Sequence, residues 1–174
     1  MDADMKAPVQ GAGESLASTT QDPKVLELLE QERRLRYDRP FTSAEALRLG
    51  CAVARLNAEY DRGVGVAITR ESDGLVIFQW FADDKAPRYF RYLDGKRLAA
   101  LGCGHSSLYA EVMHDLDGSF SDMYADGAPE WPGAGAFPIR VGNEWVGTIS
   151  VSGLHEGKDH ELVIRALEEA IGTN

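Results

Sequence analysis

The sequence is poor in cysteine, with only Cys51 and Cys103 among its 174 residues. A structural zinc site needs about four ligands at short spacings, so two distant thiols do not make one. The sequence leaves open whether they form a disulfide, although free thiols are more typical of a reducing compartment. The first 21 residues also lack the apolar core of a signal peptide, so we expect a cytoplasmic protein.

Positive charge and long apolar runs are also scarce. The chain has 18 Lys and Arg residues against 28 Asp and Glu residues, and its formal net charge at pH 7 is -10. An acidic surface repels phosphate groups, which argues against nucleic acid and anionic membranes as partners. No apolar run reaches the roughly 18 residues that a membrane span needs. What remains is a chain that is 44% hydrophobic, which predicts a globular protein with a substantial core.

Standard catalytic motifs are missing as well. The sequence contains no GxSxG nucleophile elbow, no GxxxxGK[ST] phosphate-binding loop and no HExxH metal motif. It also has no GxGxxG fingerprint followed by an acidic ribose ligand. Any functional site must therefore be predicted from local patterns of a less specific kind.

Those patterns predict one domain, residues 22–174, preceded by a disordered tail of residues 1–21 that is rich in small and polar residues. The first helix begins after Asp22, a residue type that is favoured as an N-cap. Glu32 belongs to the charged side chains of this helix that we expect to face solvent.

Strand and helix signals alternate along the rest of the chain. Asp73-Gly74 and Gly142-Asn143 are tight-turn signals, and each lies between two apolar runs, which predicts two antiparallel hairpins. Helical patterns precede, separate and follow these hairpins. This order is typical of an α+β sandwich and differs from the strand-helix alternation of a parallel dinucleotide-binding fold.

The most informative stretch is residues 147–167, where strand periodicity changes to helical periodicity. On the strand, Ser150 and Ser152 belong to a row of hydroxyls on one face. Asp159 and His160 fall in the first turn of the following helix, whose N-terminus offers unpaired amide donors. Neighbours in a helix do not face each other, so these two do not form a simple pair. The hydroxyl row can face solvent, a ligand cavity or a second subunit. We expect Asp159 to serve the helix N-terminus and His160 to lie near a pocket or a subunit contact.

A second candidate site lies at a glycine-rich helix break. His105 can titrate near neutral pH. Ser106 and Ser107 can offer hydroxyls to a ligand or cap the following helix, and capping is the commoner role. Lys96 and Arg97 in the preceding helix can bind a carboxylate or pair with neighbouring acids. We expect these residues to meet the strand-to-helix junction around one cavity or subunit seam.

Three segments carry a resemblance to a known family: FPIRV at 137–141, GTISVSGL at 147–154 and DHELV at 159–163. Here, and with lower fidelity over nearly all of residues 22–172, the chain resembles the uncharacterised branch of the haem-degrading-domain proteins, related to HbpS and GlcG. The resemblance implies a profilin-like α/β sandwich with an antiparallel sheet of about five strands, flanked by helices. It also implies dimers that assemble into larger rings.

The resemblance also bears on the candidate residues. Lys96, Ser106, Ser107 and His160 match the family's pattern, whereas His105 stands where the family usually has an arginine. Some relatives bind or degrade haem, so the resemblance implies haem or another carboxylated compound as the ligand.

The residues leave three hypotheses open. In the first, a homo-oligomer binds haem or another small carboxylated ligand, with Lys96 or Arg97 at the carboxylates. His105 or His160 would then ligate the iron or donate a proton. In the second, the protein is a non-catalytic interaction and assembly module that presents an acidic surface. In the third, it is an enzyme in which an imidazole acts as general base near the paired serines.

Overall fold

The computed structural model describes residues 19–128 and 132–172, which form helices around one antiparallel sheet. The helices are α1 (Pro23–Arg34), α2 (Ser43–Leu56), α3 (Tyr89–Cys103), α4 (Ser107–Asp117) and α5 (Lys158–Gly172). The strands are β1 (Gly65–Arg70), β2 (Leu75–Phe81), β3 (Ala136–Val141) and β4 (Glu144–Ser152). Of the tail predicted for residues 1–21, residues 1–18 lie outside the described residues, and Thr19 is buried.

The sheet has the strand order β2-β1-β4-β3, and every neighbouring pair is antiparallel. Both predicted hairpins are confirmed, and their turn glycines, Gly74 and Gly142, adopt positive φ as tight hairpin turns require. Strands β1 and β4 join the two hairpins, with Gly65 opposite Ser152. The combination of helices and an antiparallel sheet predicted from the sequence is therefore confirmed.

The described residues form four strands, where the resemblance implied about five. The segment after α1 does approach the edge of β3, but only as an isolated bridge between Tyr37 and Val141. Helix α1 ends at Arg34, and Pro40 has no backbone N–H to donate. Because few residues remain between these two points, the contact does not extend into a fifth strand.

The two faces of the sheet carry side chains of different size. Large apolar residues such as Ile68 and Ile149 face α2 and α5 and form the main core. The residues between them are small or bear hydroxyls, such as Ala67 and Ser150, and they lie under α3. Helix α3 therefore carries its inward-facing residues to the hydroxyl row of β4.

Two questions that the sequence raises are answered by the described residues. Cys51 and Cys103 are both free; the first is exposed on α2 and the second is half-buried at the end of α3. No helix in residues 19–128 and 132–172 is both long and apolar enough to cross a membrane.

Candidate functional site

Lys96 of α3 and Asp159 at the start of α5 form a buried ion pair, with 2.9 Å between Nζ and Oδ2. Each residue is only 5% exposed. The ammonium also donates to the carbonyl oxygen of Val151 at 2.9 Å. The carboxylate accepts the backbone amides of Leu154 at 2.9 Å and Gly153 at 3.4 Å. The pair thus connects α3, the end of β4 and the start of α5.

A cavity of about 320 Å³ opens beside this ion pair, and we call it the Lys96 cavity. Arg62 precedes β1 and Arg88 precedes α3, and both are exposed at the cavity. Neither has an ion-pair partner within the described part of the chain. The other lining residues are Tyr89, Tyr92, Ser152, Gly153, Leu154 and His155. The cavity therefore holds three positive side chains and one negative side chain, in a protein whose net charge is -10.

His160 lies at a second, larger cavity of about 600 Å³ between α1, α4 and α5, which we call the His160 cavity. The residue is 4% exposed, and its Nε2 lies 2.8 Å from Oε1 of Gln31 in α1. Burial, with a smaller contribution from the charge of Lys24, lowers the pKa of His160 to about 4. The imidazole is therefore neutral near pH 7. Its buried Nδ1 has no hydrogen-bond partner among the described residues.

The segment with His105, Ser106 and Ser107 joins α3 to α4. Glu32 is buried rather than solvent-facing as predicted, because its carboxylate oxygens lie 2.6 Å from His105 Nδ1 and 2.6 Å from the Ser106 amide. The Ser106 hydroxyl is the N-cap of α4, and that of Ser107 accepts the amide of Ala136 at 2.9 Å. Both hydroxyls thus accept backbone amides. No hydrogen bond in the described parts of the chain joins either one to an imidazole.

Arg97 and Ser150 lie on a different part of the α3–sheet contact. The Arg97 guanidinium binds the carboxylate of Glu71 through two hydrogen bonds of 2.8 and 2.7 Å. Ser150 is 2% exposed under α3, and both residues line a small cavity of about 130 Å³. Neither lines the Lys96 cavity.

The predicted site residues therefore occupy several places. Lys96, Ser152 and Asp159 meet at the Lys96 cavity, while the other six candidates lie elsewhere. Arg62 and Arg88 belong to the cavity but were not predicted, since no motif marks them. The only available signal was positive charge just before a strand and a helix in an acidic chain. Across the described ranges, no group of three or more His, Cys, Asp or Glu residues could hold a metal ion.

Comparison with known sequences gives consistent matches. A family model described as haem-degrading protein HbpS-like matches residues 41–168. A UPF0303 protein of Rhizobium etli is 33% identical over 150 residues, which cover 85% of this chain and 90% of the relative. A UPF0303 protein of Streptomyces coelicolor is 34% identical over 153 residues, which cover 86% of this chain and 95% of the relative.

Solved structures share the fold at lower identity. The Ybr137w protein has a TM-score of 0.75 at 21% identity, covering 91% of this chain and 95% of its own. HbpS has a TM-score of 0.59 at 20% identity, and the match covers 80% of this chain and 95% of the HbpS chain. The PduOC haem complex has a TM-score of 0.60 at 14% identity, and the match covers 75% of this chain and 94% of the PduOC chain. These likenesses concern the arrangement of helices and strands.

Proposed function

Since the chain belongs to the HbpS-like family of haem-degrading proteins, we propose that it is a homo-oligomer that binds a small carboxylate-bearing ligand in the Lys96 cavity. The observation that carries this proposal is the charge of the cavity, where Arg62, Arg88 and Lys96 outnumber Asp159. A guanidinium can bind a carboxylate through two parallel, charge-assisted hydrogen bonds. The chain as a whole has a net charge of -10, so the excess of positive side chains at this cavity differs from the overall charge of the protein.

The cavity floor supports the same ligand class. An ammonium has three N–H donors, and Lys96 uses one on Val151 and one on Asp159. The third has no partner in the described part of the chain and is available to a ligand oxygen. Tyr89 and Tyr92, whose ring centroids are 5.1 Å apart, add an aromatic wall. A ligand with a carboxylate and a flat apolar body satisfies both features.

Haem has both carboxylates and a flat apolar body. The structure of PduOC, which shares the fold, is that of a complex with haem. In this chain Arg62 and Arg88 would hold the propionates. His155 would ligate the iron, because it is the only one of the four histidines that lines the Lys96 cavity. The iron ligands predicted from the sequence, His105 and His160, do not line it. Bound haem would supply one-electron and oxygen chemistry, and these residues would hold and orient it.

Apolar surface on β2 and α3 supports self-association. Strand β2 is at an edge of the sheet, and its Leu75 and Val76 are 53% and 46% exposed. Phe90 of α3 is 53% exposed and contacts the ring of Phe81 in β2. Exposed apolar edge strands favour contact with another chain, and we expect a dimer that builds a ring.

The two free thiols support the proposed cytoplasmic location.

The proposal is tested by titrating the protein with haemin and with protoporphyrin IX, which carries the same two propionates without iron. We expect both to bind with saturation at micromolar protein, followed by the Soret band and by fluorescence. Arg62→Gln with Arg88→Gln should weaken both affinities about tenfold or more, because two charge-assisted hydrogen bonds are lost. Arg34→Gln with Arg48→Gln removes the same charge outside the cavity and is the matched control.

A third variant separates iron from carboxylate recognition. His155→Gln should weaken haemin binding and leave protoporphyrin binding unchanged. If neither porphyrin saturates, or if the two arginine double variants bind alike, the proposal fails. Native mass spectrometry of protein purified from its own host would report assembly state and retained ligand together, and a monomer would contradict the homo-oligomer.

A further inference from the structure

The small cavity of about 130 Å³ under α3 has a buried inner end and an exposed mouth, and we call it the Ser150 cavity. Strands β1 and β4 and helix α3 form the inner end, and the mouth opens beside the edge strand β2. The residues that define its shape are Ala67, Thr69, Leu93 and Ser150, which are buried, and Val76 and Phe90, which are exposed. We infer that the Ser150 cavity binds a short-chain, uncharged alcohol.

Two buried hydroxyls at the inner end indicate a polar group on the ligand. Ser150 is 2% exposed and Thr69 is 5% exposed. They lie on neighbouring strands and on the same face of the sheet, since Ser150 pairs with Ala67, two residues before Thr69. Neither side-chain hydroxyl has a hydrogen-bond partner in residues 19–128 and 132–172, and neither is among the completely sealed polar atoms. Because buried polar groups are nearly always hydrogen-bonded, both hydroxyls remain available to a group inside the cavity.

The volume and the apolar walls indicate the rest of the ligand. A water takes about 30 Å³ in the liquid, so the cavity has room for about four or five non-hydrogen atoms. One alcohol oxygen can serve both hydroxyls, because its O–H donates to one while its lone pairs accept from the other. The remaining volume faces Leu93, Phe90 and Val76, where ordered waters would lack their usual two to four polar partners. A chain of three or four carbons fills this part.

The charges at the mouth favour an uncharged ligand. Among the described lining residues only Arg97 and Asp94 are charged. Arg97 binds Glu71 through two hydrogen bonds, and its Nη1 lies 3.5 Å from Oδ1 of Asp94. Two carboxylates therefore already match this guanidinium, which leaves no free cation for a carboxylate ligand. The Asp94 side chain is 62% exposed, and ion pairs this close to solvent contribute little to binding.

This site goes beyond the proposed carboxylate site, because no residue lines both the Ser150 cavity and the Lys96 cavity. Helix α3 separates them, with Tyr89 and Lys96 at one cavity and Phe90 and Arg97 at the other. A failure of the alcohol experiment therefore leaves the Lys96 cavity proposal intact. The variant that lacks both arginines of the Lys96 cavity should bind the alcohol as the unmodified protein does.

The probe is 1-butanol, titrated into the full chain with ¹³C-labelled methyl groups at pH 7 and followed by nuclear magnetic resonance. Val76 also belongs to the surface proposed for self-association, so binding is measured on the assembled protein as purified. We expect saturation with a dissociation constant on the order of 1 mM, which is reasonable for five non-hydrogen atoms. The methyl resonances of Leu93 and Val76 should shift, and those of Leu26 and Leu116, which are exposed outside the cavity, should not.

Two other compounds test the chemistry of the ligand. Butyrate has the same number of carbons but carries a carboxylate, and glycerol has hydroxyls without an aliphatic chain. Both should bind about tenfold more weakly than 1-butanol or not at all. The inference is overturned if either binds as tightly. It is also overturned if the shifts with 1-butanol stay linear up to about 50 mM, which would mean that the cavity holds water only.

Variants test the two hydroxyls. Thr69→Val with Ser150→Ala removes both and nearly preserves the shape of the cavity, so it should weaken 1-butanol binding about tenfold or more. Thr69→Val alone keeps one hydroxyl and should show part of this loss. Ser72→Ala with Ser121→Ala removes two exposed hydroxyls outside the cavity and should change the affinity less than about twofold. Equal binding by the two double variants would refute the role of the buried hydroxyls.

Discussion

Replacing His160 with glutamine should change how the stability of the protein depends on pH. Burial is the main reason that the pKa of His160 falls to about 4, and the charge of Lys24 adds to it. In the unfolded chain an imidazole has a pKa of about 6.5. Between these two values the unfolded chain binds a proton that the folded chain does not. The free energy of unfolding contributed by this group is therefore fully present above about pH 6.5 and falls as the pH drops toward about 4.

The size of the effect follows from the width of this window. At about 1.4 kcal/mol per pH unit, a window from about pH 6.5 to about pH 4 corresponds to a loss of about 3 kcal/mol. Glutamine does not titrate, so His160→Gln should lack this loss. Its amide N–H can still donate to Gln31, which keeps the hydrogen bond of the native side chain.

The measurement is urea unfolding of both proteins at several pH values between 7 and 4. The difference between their unfolding free energies should shift by about 3 kcal/mol in favour of the variant over this range. His155→Gln replaces an exposed imidazole of the same chain and serves as the matched control. If the unfolding free energies of His160→Gln and the unmodified protein differ by the same amount at pH 7 and at pH 4.5, the argument from burial is refuted.

Two further predictions concern the packing around the ion pair and the thiols. Gly135→Ala should lower the unfolding free energy by about 2 kcal/mol or more, because φ is +134° there and a Cβ would meet the carbonyl oxygen of Val151. Gly133→Ala, with nothing within 4 Å of its Cβ, is the control in the same urea experiment. Iodoacetamide at pH 7 should modify Cys51 well before Cys103, because Cys51 is exposed and burial raises the pKa of Cys103 to about 11. Peptide mass spectrometry measures both rates, and equal rates would contradict this prediction.

The fold was largely predictable where it depends on neighbouring residues. Asp73-Gly74 and Gly142-Asn143 signal turns through their own backbone preferences, so both hairpins could be predicted without knowledge of the rest of the chain. The caps at Asp22 and Ser106 are local in the same sense, and each hydroxyl or carboxylate accepts an amide two or three residues on. The number of strands depends on whether the segment around Tyr37 pairs with β3, which is distant in the sequence. No local pattern in the sequence predicts how many residues take part in that pairing.

The site was predictable only in part, because its residues come from distant segments. Lys96, Ser152 and Asp159 meet because α3 lies over the hydroxyl face of β4, a long-range contact that the sequence analysis expected but that no local pattern specifies. Glu32 has the helical position of a solvent-facing residue, yet it is buried. The reason is its bond to the amide that begins α4, which lies 74 residues away along the chain. Long-range partners of this kind leave no periodic signal in the sequence.

Asp159 and His160 show how adjacent residues come to serve different cavities. Consecutive side chains of an α-helix point about 100° apart, so Asp159 binds Lys96 while His160 binds Gln31 on another side of α5. The loop before them separates a cavity with excess positive charge from one with excess negative charge. Because the two sides of this loop differ in charge, the anion that we propose for the Lys96 cavity is not drawn to the His160 cavity.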